Sequence, residues 1–401
     1  GVNALAAVGS TGSVNFMIIG FCMGVCNGFA IPVAQRFGAK DQTGLRKFVA
    51  NSVWLSIVFA VIMTIATCIL CRQIMTWMRT PADIFEDANT YIFIIFIGIP
   101  ATYLYNLVSG IIRSLGDSRS PLFFLIVSSV LNIGLDFLFI LTFHMGVAGA
   151  AWATVISQAV SGIGCLFYMK HKFEILKIRP EEWKMDTKYM KILCGMGIPM
   201  GLQYSITAIG SVILQTAVNT LGSSAVAAIT AGSKVSMFFC CPYDAMGSTM
   251  ATYAGQNVGA GKLDRVKKGM LSCCLLGLIY AVLAFVFLFF FGRYTALLFM
   301  EASEKAILGN VTTFLLINSA FFFPLSLVNI IRFTIQGMGY SVLAICAGIC
   351  EMVARSIVGF VFVPMWGFVA ACFASPVAWI CADIFLIPAF FYCLRRLKKV
   401  Y

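Results

Sequence analysis

Charge and histidine are scarce in this sequence. Only 11% of its 401 residues are charged and it has two His, whereas soluble proteins carry about 25% charged residues. The metalloprotease pattern HExxH and the nucleophile pattern GxSxG are also absent, which leaves neither of these catalytic sites available. We therefore expect a protein that is not an enzyme and has no catalytic residues and no cofactor.

Apolar residues, in contrast, fill the chain. Sixty per cent of the residues are hydrophobic, 36 are Phe, and the mean hydropathy is +0.93. A run of roughly 20 apolar residues can cross about 30 Å of hydrocarbon as a helix. Eleven such runs are centred near residues 22, 60, 101, 131, 158, 205, 246, 280, 322, 351 and 381. The sequence therefore predicts an all-α, multi-pass integral membrane protein.

The basic residues predict its orientation. Threading the eleven helices alternately through a bilayer puts 22 of the 28 Lys and Arg on one side, with Arg332 among them. Five lie on the other side, and Arg355 is the one base left inside the membrane. Basic joints face the cytoplasm, so we expect a plasma membrane (inner membrane) protein with a cytoplasmic C-terminus. Because the bases lie at these joints, the net charge of +12 does not indicate a nucleic acid partner, and membrane lipid is the expected surrounding.

Matching sequence landmarks recur at a nearly constant offset. ALAAVG (4–9) pairs with AVAAIT (225–230), QRFGAKD (35–41) with QNVGAGK (256–262), and GVAGAAWA (146–153) with GFVAACFA (367–374), all at an offset of 221. Pro100 pairs with Pro324 and Gly116 with Gly339. This pattern indicates an internal duplication, and the paired prolines are candidate bending points of the two halves.

The longest hydrophilic segment separates the two halves. KHKFEILKIRPEEWKMDTK, residues 170–188, divides the chain into an N-terminal lobe (1–172), a linker (173–188) and a C-terminal lobe (189–401). The helix predicted from about 189 to 219 has no repeat partner. We therefore expect that the first helix of the first lobe is missing, which leaves five plus six helices of two six-helix lobes. An even number per lobe makes the repeats parallel, related by a pseudo-two-fold axis along the membrane normal.

Asp136 is the carboxylate with the clearest local setting. Asn132 precedes it by four residues and lies on the same helix face. Counting about 1.5 Å per residue puts Asp136 and Thr154, on the next helix, at a similar depth of about 12 Å below the outer surface. A carboxylate costs about 2.5 to 3.5 kcal/mol at mid-bilayer, so this group needs a partner, a proton or a function. A structural hydrogen-bond hub remains the alternative.

A second set of charges is predicted in the C-terminal half. Asp244, Glu351, Arg355 and Asp383 come from three helices and lie at about 15 to 21 Å from the cytoplasmic ends of those helices. Glu351 and Arg355 have the i, i+4 spacing of an ion pair, which leaves Asp244 and Asp383 unbalanced. We interpret at least one of these two as a group that exchanges a proton or Na⁺, with a purely structural ion cluster as the alternative.

Six motifs in order give the sequence a family resemblance. ALAAVG, QRFGAKD, RSLGDSRSP, NIGLD, GVAGAAWAT and GQNVGAG resemble motifs of bacterial-type members of the multidrug and toxic compound extrusion (MATE) family. The resemblance covers nearly the whole chain. It implies two six-helix lobes that form a V around a central cleft, and export of organic cations and other amphipathic compounds against inward flow of Na⁺ or H⁺.

The resemblance also implies roles for individual residues. It assigns Asn132, Asp136 and Thr154, together with Asn106, to the cation- or proton-responsive network of the N-terminal lobe. With the acids of the second half considered as well, we expect that Na⁺ would bind near Asp136 or Asp244. Some branches of the family carry Glu shortly after the GxP motif of the seventh helix, where GIPMGLQYS has Gln203. An amide can bind or hydrate a cation but cannot release a proton. We expect a monomer that takes small amphipathic or cationic substrates.

The nearest rival function is a lipid-linked saccharide flippase of a related two-lobe superfamily. A flippase needs a cationic cavity for a pyrophosphate headgroup. With Arg355 as the one intramembrane base against four acids, the sequence disfavours an anionic substrate. The predicted function is therefore multidrug efflux by antiport.

Overall fold

The structure is a computed structural model that describes residues 1–401, and all of its regular secondary structure is helical. Its contacts divide the chain into two compact units, Gly1–Ser205 and Ile206–Tyr401. The helices that begin in unit 1 are α1 (Val2–Ser10), α2 (Gly12–Gly38), α3 (Gln42–Ile69), α4 (Cys71–Trp77), α5 (Phe85–Ile97), α6 (Ile99–Ser114), α7 (Arg119–Asp136), α8 (Val147–Lys172) and α9 (Thr187–Asn219).

The remaining helices build unit 2. They are α10 (Ser223–Gly259), α11 (Leu263–Ala296), α12 (Lys305–Ala320), α13 (Phe322–Gly337), α14 (Ser341–Ile357), α15 (Val363–Trp366) and α16 (Phe368–Lys398). Helices α10, α13 and α16 pack around the large buried side chains Tyr243, Phe322 and Phe390. The boundary between the two compact units lies inside α9, between Ser205 and Ile206. The predicted linker, 173–188, ends within the first turn of α9, which begins at Thr187.

The spans match the eleven apolar runs of the sequence. Nine helices are long and apolar enough to cross a membrane, and two bent pairs, α5 with α6 and α12 with α13, bring the number to eleven. The pairs bend by 45° and 50°. Each bend lies just before one of the two prolines that were predicted as bending points. Pro100 lies in the first turn of α6, and Pro324 lies in the first turn of α13. A proline there removes the N–H that would continue the preceding helix.

Backbone features repeat with the sequence. Left-handed φ angles occur at Lys40 (57°) and Gly261 (69°), and at Gly116 (91°) and Gly339 (100°), which are repeat-related pairs. A π-helical segment follows α7 at Phe137–Thr142, and another follows α14 at Val358–Phe362. The duplication therefore extends to the irregular backbone.

Glycines allow α2 and the first part of α9 to approach closely in unit 1. Gly20, Gly24 and Gly28 lie on one face of α2 because they recur every fourth residue. A Cβ atom at Gly28 would lie 2.4 Å from the Cα of Gly197, and one at Gly24 would lie 2.5 Å from the carbonyl oxygen of Met200. Small residues at such spacing let helix backbones touch in membranes, so this contact fixes α9 against α2.

The motif RSLGDSRSP has a structural function at the start of α7. Asp117 Oδ1 accepts from the backbone N–H groups of Arg119 and Ser120, and Oδ2 accepts from the hydroxyls of Ser120 and Tyr168. Burial raises the pKa of Asp117, but the hydrogen bonds from Ser120 and Tyr168 outweigh it and hold the pKa below its usual 3.8. The carboxylate therefore stays ionised and anchors the turn between α6 and α7.

Candidate functional site

The Asn132 side chain joins the two other predicted members of its group in unit 1. Its amide nitrogen donates to Asp136 Oδ2 over 3.2 Å, while its oxygen accepts from the backbone N–H of Thr154 over 3.1 Å and lies 3.3 Å from Thr154 Oγ1. This amide orientation satisfies both ends of the side chain. The structure thus brings Asn132, Asp136 and Thr154 together between α7 and α8.

The backbone changes its winding at Asp136. The α-helical part of the span ends at this residue and the π-helical segment begins at Phe137. Single π-helical turns inside a helix are frequent at functional sites, because the extra residue rotates the side chains that follow. Asp136 is half-buried and forms no salt bridge.

Tyr91 is a neighbour of this site that the sequence reasoning missed. Its half-buried phenol on α5 lies close enough to interact electrostatically with the Asp136 carboxylate. Nothing in the spacing of Tyr91 relates it to α7, because α5 and α7 come near each other only by packing on α8. The site in unit 1 therefore has an amide and a hydroxyl beside one carboxylate and a phenol within electrostatic range, with no base.

Asn106 is held in a different hydrogen-bonded group. Its amide nitrogen donates to the Thr102 carbonyl oxygen over 2.8 Å, and the Thr102 hydroxyl donates to Gln158 Oε1 over 3.0 Å. Asn106 is only 8% exposed. The structure therefore does not join Asn106 to the Asp136 group by a hydrogen bond.

Glu351 is the centre of an ion cluster in unit 2. Arg332 of α13 and Arg355 of α14 both bind the Glu351 carboxylate, Arg355 Nη2 at 3.4 Å from Oε2. Arg332, Glu351 and Arg355 are all less than 9% exposed. The guanidinium of Arg355 lies against Gly210 of α9, where a Cβ atom would be 3.5 Å from Nη1.

Two expectations about these charges are wrong. Arg332 does not lie at a helix joint, because α13 continues to Gly337 and buries the Arg332 side chain. Arg355 is therefore not the one base inside the membrane, and Glu351 does not pair with it alone. Asp244 and Asp383 form no salt bridge, as expected, although Arg332 lies within electrostatic range of both carboxylates.

The two other acids of the cluster differ in burial. Asp383 on α16 is 7% exposed and its Oδ1 has no hydrogen-bond partner, whereas Asp244 on α10 is exposed at the unit surface. The structure thus pairs Glu351 with Arg355, as predicted, and adds Arg332, which lies within electrostatic range of Asp244 and Asp383. Gln203 is 6% exposed and belongs to the part of α9 in unit 1.

The family model described as MatE matches residues 1–138 and 199–371. The chain is also 31% identical over 333 residues to the probable multidrug resistance protein YpnP of Bacillus subtilis, covering 82% of this chain and 73% of YpnP. The chain belongs to the MATE family. It is therefore a multi-pass membrane protein of a transporter family, in agreement with its eleven spans.

Two further relatives of this MATE chain have names that indicate different transported compounds. The FAD transporter of Shewanella oneidensis is 23% identical over 359 residues, covering 88% of this chain and 78% of the relative. The multidrug export protein MepA of Staphylococcus haemolyticus is 26% identical over 211 residues, covering 53% of this chain and 46% of MepA.

The fold of this MATE chain is that of solved family members. An outward-facing structure of a multidrug resistance MATE transporter has a TM-score of 0.94 at 23% identity, covering 99% of this chain and 89% of the other. At that identity the likeness shows the fold alone.

Proposed function

We propose that this MATE transporter exports organic cations and other amphipathic compounds in exchange for inward-moving Na⁺ or H⁺. The observation that carries the proposal is the Asn132 bridge between Asp136 and Thr154, which presents a carboxylate with no basic partner inside a membrane span. Relatives named as multidrug resistance and multidrug export proteins support the substrate class.

Asp136 is suited to bind the coupling cation. A carboxylate in the membrane needs a positive charge or a proton, and here the surrounding groups are neutral. Asn132 keeps one carboxylate oxygen in place, while Thr154 contributes a hydroxyl of the kind that binds hard cations such as Na⁺. Protonation would satisfy the same carboxylate. The site therefore accepts either ion without rearrangement of a salt bridge.

Coupling requires that the ion and the substrate favour different conformations. A ligand shifts a conformational equilibrium only by its difference in affinity for the two states. In the proposed cycle the ion binds Asp136 from outside, stabilises the state that releases the substrate, and leaves toward the cytoplasm. The basic joints of the spans would face the cytoplasm, with the protein acting as a monomer in lipid.

Gradient-driven efflux of a fluorescent organic cation tests the proposal. The protein is reconstituted in vesicles, and Na⁺ and pH gradients are imposed separately. We expect one gradient to accelerate efflux and Asp136→Asn to remove that acceleration. Substrate binding, measured by fluorescence polarisation, should survive in the variant. An efflux rate indifferent to both gradients would contradict antiport.

A lipid-linked saccharide flippase is the second candidate function. The burial of Arg332 favours it, because the membrane interior contains one more base than the sequence indicated. The relative named as a FAD transporter has an anionic cargo by its name. However, Glu351 neutralises Arg332 directly, which makes the cluster a poor receptor for pyrophosphate. Transport of a lipid pyrophosphate without any response to ion gradients would favour the flippase.

A further inference from the structure

Two complementary atoms lack partners in the unit 2 cluster. Arg332 Nε is a buried donor without an acceptor, and Asp383 Oδ1 is a buried acceptor without a donor. The side chains attract each other, since Arg332 lies within electrostatic range of Asp383. Buried polar groups without hydrogen bonds are rare in proteins, and here a donor and an acceptor of opposite charge occur in one cluster.

Titratable groups on several other helices lie near Asp383. Glu351 of α14 repels Asp383, and Arg332 of α13 attracts it. Cys274 of α11 also lies within electrostatic range. Arg355 affects Asp383 indirectly, because it pairs with Glu351. Asp244 of α10 also affects Asp383 indirectly, because it attracts Arg332.

The formal charges of the cluster do not cancel. Two guanidinium groups face three carboxylates, so one bound cation or proton brings the cluster to neutrality. Asp383 is the carboxylate for this cation, because it is buried, has a free oxygen and forms no salt bridge. Asp244 is exposed, so the cluster does not enclose it.

We propose that Asp383 is a cation- or proton-binding position in unit 2 and that Arg332 is its positioning residue, binding Glu351 when Asp383 is occupied and Asp383 when it is empty. The proposal rests on the ion-coupled function proposed above and adds a second ion position to the one at Asp136. The structure shows one of these two arrangements, with Arg332 on Glu351.

The exchange moves one guanidinium between two carboxylates on different helices. Glu351 lies on α14 and Asp383 on α16, so transfer of Arg332 changes which helix α13 is bound to. A cation at Asp383 repels Arg332 and returns it to Glu351. The occupancy of Asp383 is thereby linked to the packing of α13, the helix that follows the 50° bend.

Trp379 provides a reporter of this exchange. It precedes Asp383 by one helical turn on α16 and is 7% exposed. The full chain is labelled with 5-fluorotryptophan, and the ¹⁹F resonance of Trp379 is assigned with Trp379→Phe. We expect it to shift on titration with either protons or Na⁺, measured in separate series, and Asp383→Asn to abolish the shift.

Substitutions of Arg332 and of Glu351 should change the affinity of Asp383 for a cation in opposite directions. Arg332→Gln removes the competitor for Asp383, so the Trp379 titration should show at least about tenfold tighter cation binding. Glu351→Gln releases Arg332 to Asp383, so binding should weaken by about tenfold or more. Arg72→Gln, which removes an exposed arginine of unit 1, should leave the titration unchanged.

The outcomes separate this inference from the proposed function. If Arg332→Gln and Glu351→Gln shift binding in the same direction, or if Asp383→Asn still titrates, the exchange is wrong and the cluster is structural. Monodisperse elution of each variant shows that it folds, and Arg332→Lys repeats the test with the charge kept. A Trp379 titration in a protein whose efflux ignores both gradients would overturn antiport but keep the ion position.

Discussion

Arg46 Nε lies 2.8 Å from Glu182 Oε2, and the two side chains are 12% and 5% exposed. This pair fastens the hydrophilic segment after α8 to α3. The backbone N–H of Asp186 donates to Asn51 Oδ1 over 2.9 Å, and Trp54 Nε1 donates to the Trp183 carbonyl over 2.8 Å. The predicted linker is therefore docked on unit 1 at several points.

Acidification should release this segment. The hydrogen bond from Arg46 holds the pKa of Glu182 below its usual 4.5, so the folded pKa lies under the unfolded one. The contribution of the Arg46–Glu182 pair to docking is then fully present above pH 4.5 and is lost as the pH falls through the folded pKa. Hydrogen exchange of the segment, corrected for the intrinsic pH dependence, should rise in this window.

Glu182→Gln should remove the pH dependence. Loss of a charge-assisted hydrogen bond should accelerate exchange at neutral pH by about tenfold. Glu174→Gln is the matched control, because the Glu174 and Lys177 side chains are 86% and 71% exposed and such pairs contribute little. Equal acceleration in both variants would show that Arg46 does not anchor the segment.

Asn132→Ala should weaken ion coupling more than Asn106→Ala. The first change removes the donor to Asp136 and the bridge to Thr154, so half-maximal acceleration of efflux should need about tenfold more coupling ion. The second removes a bond to the helix's own backbone, and the shift should stay below about threefold. Equal shifts in the two variants would show that Asn106 acts together with the Asp136 group. Efflux rates against ion concentration give both values.

The Asp136 group could be predicted because it depends on short distances along the chain. Asn132 and Asp136 are one turn apart, and a short connection joins α7 to α8, so counting residues from that joint placed Thr154 correctly. The position of Arg332 follows from where α13 begins and ends. The continuation of α13 to Gly337 and the burial of Arg332 depend on packing, which residue counting does not include.

Pro324→Ala should reduce the bend between α12 and α13. Alanine restores an N–H that can donate to the Ala320 carbonyl, so the two helices can join. We expect the 50° bend to fall toward about 20° in an experimental structure of the variant. Pro388→Ala is the control, since Pro388 lies inside the continuous helix α16. An unchanged bend would assign it to the packing of Phe321 and Phe322 instead.

Gly28→Ala should destabilise unit 1, although alanine favours helices. Its Cβ atom would meet the Cα of Gly197 at 2.4 Å, and backbone cannot move aside as a flexible side chain can. Overpacking of this kind costs about 1 to 3 kcal/mol, so the midpoint of thermal aggregation should fall by about 2 °C or more. Gly134→Ala, where a Cβ atom meets nothing within 4 Å, should leave the midpoint equal or higher, because alanine lowers the backbone entropy of the unfolded chain. A fall in both variants would indicate a general sensitivity of the helices, whereas a fall at Gly28 alone shows that close approach of α2 and α9 sets the stability of unit 1.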